Sequence, residues 1–189
     1  MRTLLLPLLL LCSCQQAAWG EVSTSLSFQA APTKAQWQTL MEMEHVTELS
    51  IWDDGEMRLD PPIGEPVDDE DLLQYISHLH DLESLVLGGW NMKVTDAGLW
   101  HLHTLGELRH LSLCQVQGIS DEGMQALALL PALESLDLTY TDITDRGLET
   151  LAQIPTMRTI RYAWTARHAS YRQEFLRRNP QAAYLLDSP

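Results

Sequence analysis

Three stretches of this chain repeat one two-part pattern, and that repetition restricts the fold more than any other feature. LESLVL (82–87) is followed by VTDAGL (94–99), LRHLSL (108–113) by ISDEGM (119–124), and LESLDL (133–138) by ITDRGL (143–148). The first half alternates apolar and polar residues, as a strand with one buried face does. The second half carries apolar residues at i and i+3, in Leu99 with Leu102, Met124 with Leu127 and Leu148 with Leu151, the stripe of a helix. The step from Leu85 to Leu111 is 26 residues, from Leu111 to Leu136 it is 25, and from Leu136 to Ile160 it is 24. A unit this short leaves its leucines half covered, so copies must stack to complete burial worth roughly 1.5–3 kcal/mol per side chain.

Single positions fit stacked strand–helix coils. Thr95, Ser120 and Thr144 stand where a helix N-cap belongs. Asp96, Asp121 and Asp145 follow, placing negative charge at the positive end of a helix dipole. Gly98, Gly123 and Gly147 come two residues later, although glycine inside a helix costs ~1 kcal/mol against alanine. Their recurrence predicts that neighbouring coils approach too closely there for a side chain.

These motifs resemble the leucine-rich repeat, in particular its cysteine-containing subclass with the T-D-x-G-L signature. The resemblance covers roughly residues 46 to 186. It implies an α/β solenoid, with parallel strands on a concave face and helices on a convex one. It also implies a non-catalytic module that binds a protein or peptide, similar to small exported bacterial leucine-rich-repeat lipoproteins.

The ends depart from the repeat. Residues 32–44 are expected to form a capping helix that uses Trp37, Leu40 and Met41, leading into a strand at 46–51. From Leu49 to Leu85 is 36 residues, and the excess is a Pro- and Gly-bearing loop over 52–66. Val67 to Leu72 then occupies the T-D-x-G-L position without its Thr or Gly. Residues 157–162 read as a further strand, 170–179 as a helix stopped before Pro180, and 182–186 as a closing strand.

The N-terminus reads as an export signal, since the apolar run from Leu4 to Leu11 is far shorter than the ~20 residues that span a bilayer. Two cleavage sites are open. LCSC (11–14) resembles the bacterial lipobox, which makes Cys14 the lipidated first residue of the mature chain. Ala18 and Gly20 alternatively suit ordinary signal peptidase. The organisation expected is a signal peptide over 1–14 (or 1–20), a flexible tether over 15–31, and a repeat domain over 32–189. The location expected is the cell envelope, lipid-anchored, or alternatively a soluble periplasmic or secreted form. Cys114 is the one cysteine of the repeat domain, so no disulfide staples it.

A formal charge of −14 disfavours general nucleic-acid binding, which needs a basic face. No nucleophile elbow, phosphate loop, paired CxxC or HExxH motif is present, and no cofactor or metal is expected. The His78/His80 and His101/His103 pairs would point ~200° apart on a helix and do not chelate. Twelve carboxylates lie between Glu42 and Asp71, whereas six of the twelve Lys and Arg lie at or beyond residue 158. That polarity permits a second role, a structural envelope component self-associating through unlike ends.

Strand periodicity also predicts outward rows. One is Glu48, Ser84, His110, Ser135, Thr159, and the next Ser50, Val86, Ser112, Asp137, Arg161. A third is Trp52, Gly88, Cys114, Thr139, Ala163, and a fourth Asp53, Gly89, Gln115, Tyr140, Trp164. The candidate partner-binding residues are therefore Trp52, His110, Asp137, Tyr140, Arg161 and Trp164, with the last four gathered at the C-terminal end. The 52–66 loop and the ridge around Trp90 and Gln117 are the candidate rims.

Overall fold

The computed structural model describes residues 13–16, 22–43, 45–53, 65–162, 177 and 183–186. Its spine is a sheet whose strands follow chain order. The strands are β1 (Ser13–Gln16), β2 (Val22–Phe28), β3 (Val46–Trp52), β4 (Ser84–Gly88), β5 (His110–Ser112), β6 (Ser135–Asp137), β7 (Thr159–Tyr162) and β8 (Ala183–Leu186). β1 runs antiparallel to β2, and every pairing from β2 to β8 is parallel. Helices α1 (Lys34–Met41), α2 (Asp69–Gln74), α3 (Asp96–Leu99), α4 (Met124–Leu127) and α5 (Asp145–Leu151) connect the strands, and short 3₁₀ turns extend α2 and α3. Leu49, Leu85, Leu111, Leu136 and Ile160 stand in one registered row and are all buried. The helical stripe faces them, with Leu99, Leu102, Met124, Leu127, Leu148 and Leu151 equally inaccessible. This is the leucine-rich-repeat solenoid that the repeats predict.

Among the described residues, three successive joints between coils are each fastened through one carboxylate. Asp69 accepts from the backbone N–H of Thr95 at 2.7 Å and from its hydroxyl at 2.6 Å. Asp96 takes Ser120 the same way at 2.8 and 2.6 Å, and Asp121 takes the N–H and hydroxyl of Thr144. The receiving hydroxyls then cap their own turns, accepting from Ala97, Glu122 and Arg146. Each of these carboxylates also lies against the glycine of the following coil. A Cβ on Gly98 would overlap Asp69 Oδ1 and stand 2.8 Å from its Cγ, and Gly123 and Gly147 meet Asp96 and Asp121 in the same manner. The close approach predicted from the glycines is present, and its cause is the preceding aspartate. The aspartates at 96 and 121 thus act between coils, beyond the dipole role assigned to them from sequence.

The N-terminal cap differs from expectation in two places. Residues 22–31, read as part of a tether, contain β2, in parallel register with β3. The reason is a period of two in STSLSF, which leaves Leu26 and Phe28 buried and Ser25 and Ser27 on the other face. Helix α1 buries Trp37 and Leu40 as expected, but Met41 faces outward at 44% exposure. Thr33 and Gln36 close a capping box at its start. Asp68 and Asp71 do the same for α2, satisfying the irregular coil without Thr or Gly. Of the expected helix over 170–179, only Arg177 is among the described residues.

Candidate functional site

The first two of the four expected outward rows are present in the sheet. Glu48, Ser84, His110, Ser135 and Thr159 are in register, as are Ser50, Val86, Ser112, Asp137 and Arg161. β2 lengthens both, through Ser25 beside Glu48 and Ser27 beside Ser50. Seven of these twelve positions are therefore serine or threonine, and their hydroxyls make no hydrogen bond within the described protein. The floor is a shallow groove of about 200 Å³ along β4 to β7. Small hydroxyls both donate and accept, so this floor can meet a partner's backbone without charge selection.

Charge enters at three places, the first being Glu48, exposed in the first row. Arg161 Nη1 lies 3.3 Å from Asp137 Oδ2, with the Arg161 side chain half exposed. Asp137 also accepts from Thr139 N–H at 3.0 Å, which fixes the carboxylate. Along the strand-entry edge, Glu134 binds both Arg109, at 2.8 Å, and Arg158, at 3.1 Å. His110 is exposed in mid-floor.

The third and fourth rows are not open floor. Trp52 is half buried and its ring covers Gly88, where a Cβ would stand 2.5 Å from Cε3. Thr139 and Asp53 are buried at 6% and 7% exposure. Beyond them the backbone turns through the left-handed region at Gly89 (φ 104°), Gln115 (φ 68°) and Tyr140 (φ 59°). This turn directs Tyr140 away from Asp137 and Arg161, and its ring meets Trp90 with centroids 6.0 Å apart at 48°. The expected cluster of four is thus divided. Asp137 and Arg161 pair on the floor, Tyr140 joins Trp90 on the strand-exit ridge, and Trp164 lies outside the described residues. The sequence marks Trp90 only as a rim residue, and the signal that it stands further out is turn length. Leu87 to Val94 is seven residues, against six from Leu113 to Ile119 and five from Leu138 to Ile143.

A second concavity, about 490 Å³, lies between α1 and α2 beside the stacked rings of Trp37 and Tyr75, 4.9 Å apart. Asp71 lines it, and burial raises its pKa above the ordinary 3.8, with the charges of Asp68 and Glu70 adding to the rise and a hydrogen bond from Asp68 N–H opposing it. Among the described residues, no group of three or more His, Cys, Asp and Glu side chains is placed to hold a metal ion. No described helix is long and apolar enough to cross a membrane. Of Cys14 the structure gives the backbone pairing, opposite Thr24.

A family model described as "Leucine Rich repeat" matches residues 131–152. No curated protein matches the chain. Among solved structures it is similar to an internalin C2 from Listeria monocytogenes, at 17% identity and a TM-score of 0.38, covering 79% of this chain and 76% of that one. It is also similar to an internalin, inlF, from the same organism, at 16% identity and a TM-score of 0.30, covering 75% of this chain and about half (47%) of that one.

Proposed function

We propose that this leucine-rich-repeat protein is a non-catalytic module of the cell envelope, anchored by a lipid on Cys14, that binds a protein or peptide on its concave face. The observation that carries the reading is the floor itself. Seven unpartnered hydroxyls stand in two registered rows, with His110 among them and the Asp137–Arg161 pair at one end. Six strands at ~4.8 Å and two to three outward positions along each give roughly 300 Å². A stable interface covers about 800 Å² per partner. The floor therefore seats a short peptide or one helix, and a tighter complex recruits the rims.

Site-specific photo-crosslinking tests the surface. A crosslinking residue at Ser112, on the floor, should capture a defined partner from the envelope fraction, and one at Leu129, exposed on the convex side, should not. The same partner captured equally from both positions, or only from Leu129, overturns the concave assignment. Cys14→Ala should release the protein from membranes, and a mature N-terminus at Glu21 would refute the anchor.

A further inference from the structure

The strand-exit ridge has a chemistry of its own. Trp90 and Tyr140 are 49% and 58% exposed, large values for aromatic rings. They follow β4 and β6, so equivalent points lie ~9.6 Å apart, yet their centroids are 6.0 Å apart. The rings therefore lean together across the intervening coil, that of β5. There Gln115 occupies the turn position of Gly89 and Tyr140, bound into the stack by Gln115 N–H donating to Thr139 C=O at 2.8 Å. Its Oε1 is buried without a partner, while the side chain as a whole is half exposed. Nε2 is thus the solvent-facing end of the amide, with no acceptor in the described protein. With Trp52 lying over Gly88, aromatic surface runs along the exit edge from the coil of β3 to that of β6.

We infer that this ridge binds a proline-rich peptide in the polyproline II conformation, the Gln115 amide donating to a peptide carbonyl. Three coil steps give the ridge a length of ~14 Å, which about five residues at ~3.1 Å rise would cover. Proline rings pack on aromatic faces, and proline has no N–H to strand against them. All the carbonyls of such a peptide are free, which suits a site whose solvent-facing unpartnered group, Gln115 Nε2, is a donor. A glycan would bring as many donors as acceptors and is the less complementary occupant. This inference rests on the reading of the chain as a peptide-binding module, but it concerns the ridge and not the hydroxyl floor.

The test is a titration of the ¹⁵N-labelled full chain with acetylated, amidated nonaproline, and with a Gly-Ser nonapeptide as control. The Trp90 indole and Gln115 side-chain amide resonances should move saturably with nonaproline alone, and 0.5 M salt should leave the midpoint unchanged. Trp90→Ala should weaken binding at least tenfold, and Gln115→Glu, which removes the donor, at least threefold, with dispersed spectra in both. Arg161→Ala should bind as the parent does. No movement of either resonance at millimolar nonaproline overturns the inference, as does an equal response to the Gly-Ser peptide. Saturation by a chito- or cello-oligosaccharide with no response to nonaproline would make the ridge a glycan site. Gln115→Glu binding as tightly as the parent refutes the donor. Loss of the nonaproline response while the Ser112 crosslink persists refutes the ridge alone, and the reverse result refutes the floor alone.

Discussion

The carboxylate joints between coils can be measured directly at Asp69 and Gly98. Asp69→Ala removes two hydrogen bonds, at 2.7 and 2.6 Å, accepted by a charged group. Bonds of that kind contribute ~1.5–3 kcal/mol each, but water reaches this pair, so the expected loss is about 2–3 kcal/mol. Gly98→Ala alone inserts a Cβ onto Asp69 Oδ1 and within 2.8 Å of Cγ, so the carboxylate must leave its position. That costs most of the same bonds, against a helix-propensity gain of ~1 kcal/mol, for a net loss of about 1–2 kcal/mol. In the double variant the obstruction has gone, and the next atom met is Asp69 Cα at 3.3 Å, a contact relieved by a few tenths of an ångström. The pair should therefore cost about 2 kcal/mol, roughly 2 kcal/mol less than the summed singles. Urea melts analysed with a common m-value measure all four corners of the cycle. Additivity within ~0.5 kcal/mol would refute the account of the glycine as the seat of its neighbour's aspartate.

Within one strand, Leu136→Ala should destabilise by about 2–5 kcal/mol, as core leucines do, and Asp137→Ala by about 1 kcal/mol, since its ion pair is half exposed; equal losses in denaturant melts would refute the register. At position 140 glycine should be about 1 kcal/mol more stable than alanine, because φ is 59° and glycine alone adopts that region without strain; comparison of Tyr140→Gly with Tyr140→Ala by thermal melts checks it. A carboxyl whose folded pKa is raised stabilises fully below its unfolded value of 3.8, and that contribution is lost as pH rises through the folded pKa. Asp71→Asn should accordingly remove a decline in stability that begins near pH 4 in the parent, and identical pH profiles for the two proteins would refute it.

The registered rows were legible because leucine spacing repeats, and a period of two assigns every side chain in a strand to a face. What lay between coils was harder to read. Asp96 and Asp121 looked like dipole partners because one coil, viewed alone, does not show what its aspartate touches. The recurrent glycines were the available sign of a neighbour, though not of which atom it presents. β2 was obscured by composition: polar serines suggested a tether, while Leu26 and Phe28 at alternate positions already marked a buried face. Tyr140 was assigned to the wrong cluster because a left-handed turn, carried by glycine at 89 but by Gln and Tyr at 115 and 140, redirects its side chain. A row drawn by extending strand alternation past the strand's end has no physical basis there.

The joint from Asp69 to Thr95, from Asp96 to Ser120 and from Asp121 to Thr144 has a direction, since each coil supplies the acceptor and its successor the donors. A segment excised between equivalent points of two coils, 24 to 26 residues long, carries one acceptor and one receiving turn. Duplicating or deleting it leaves every remaining joint matched, whereas a cut of any other length mates an aspartate with the wrong position. Copy number is therefore a variable that evolution or an engineer can change in whole steps. Each step lengthens the floor by ~4.8 Å, so the footprint offered to a partner grows in units of roughly 60 Å² without redesign of a single contact.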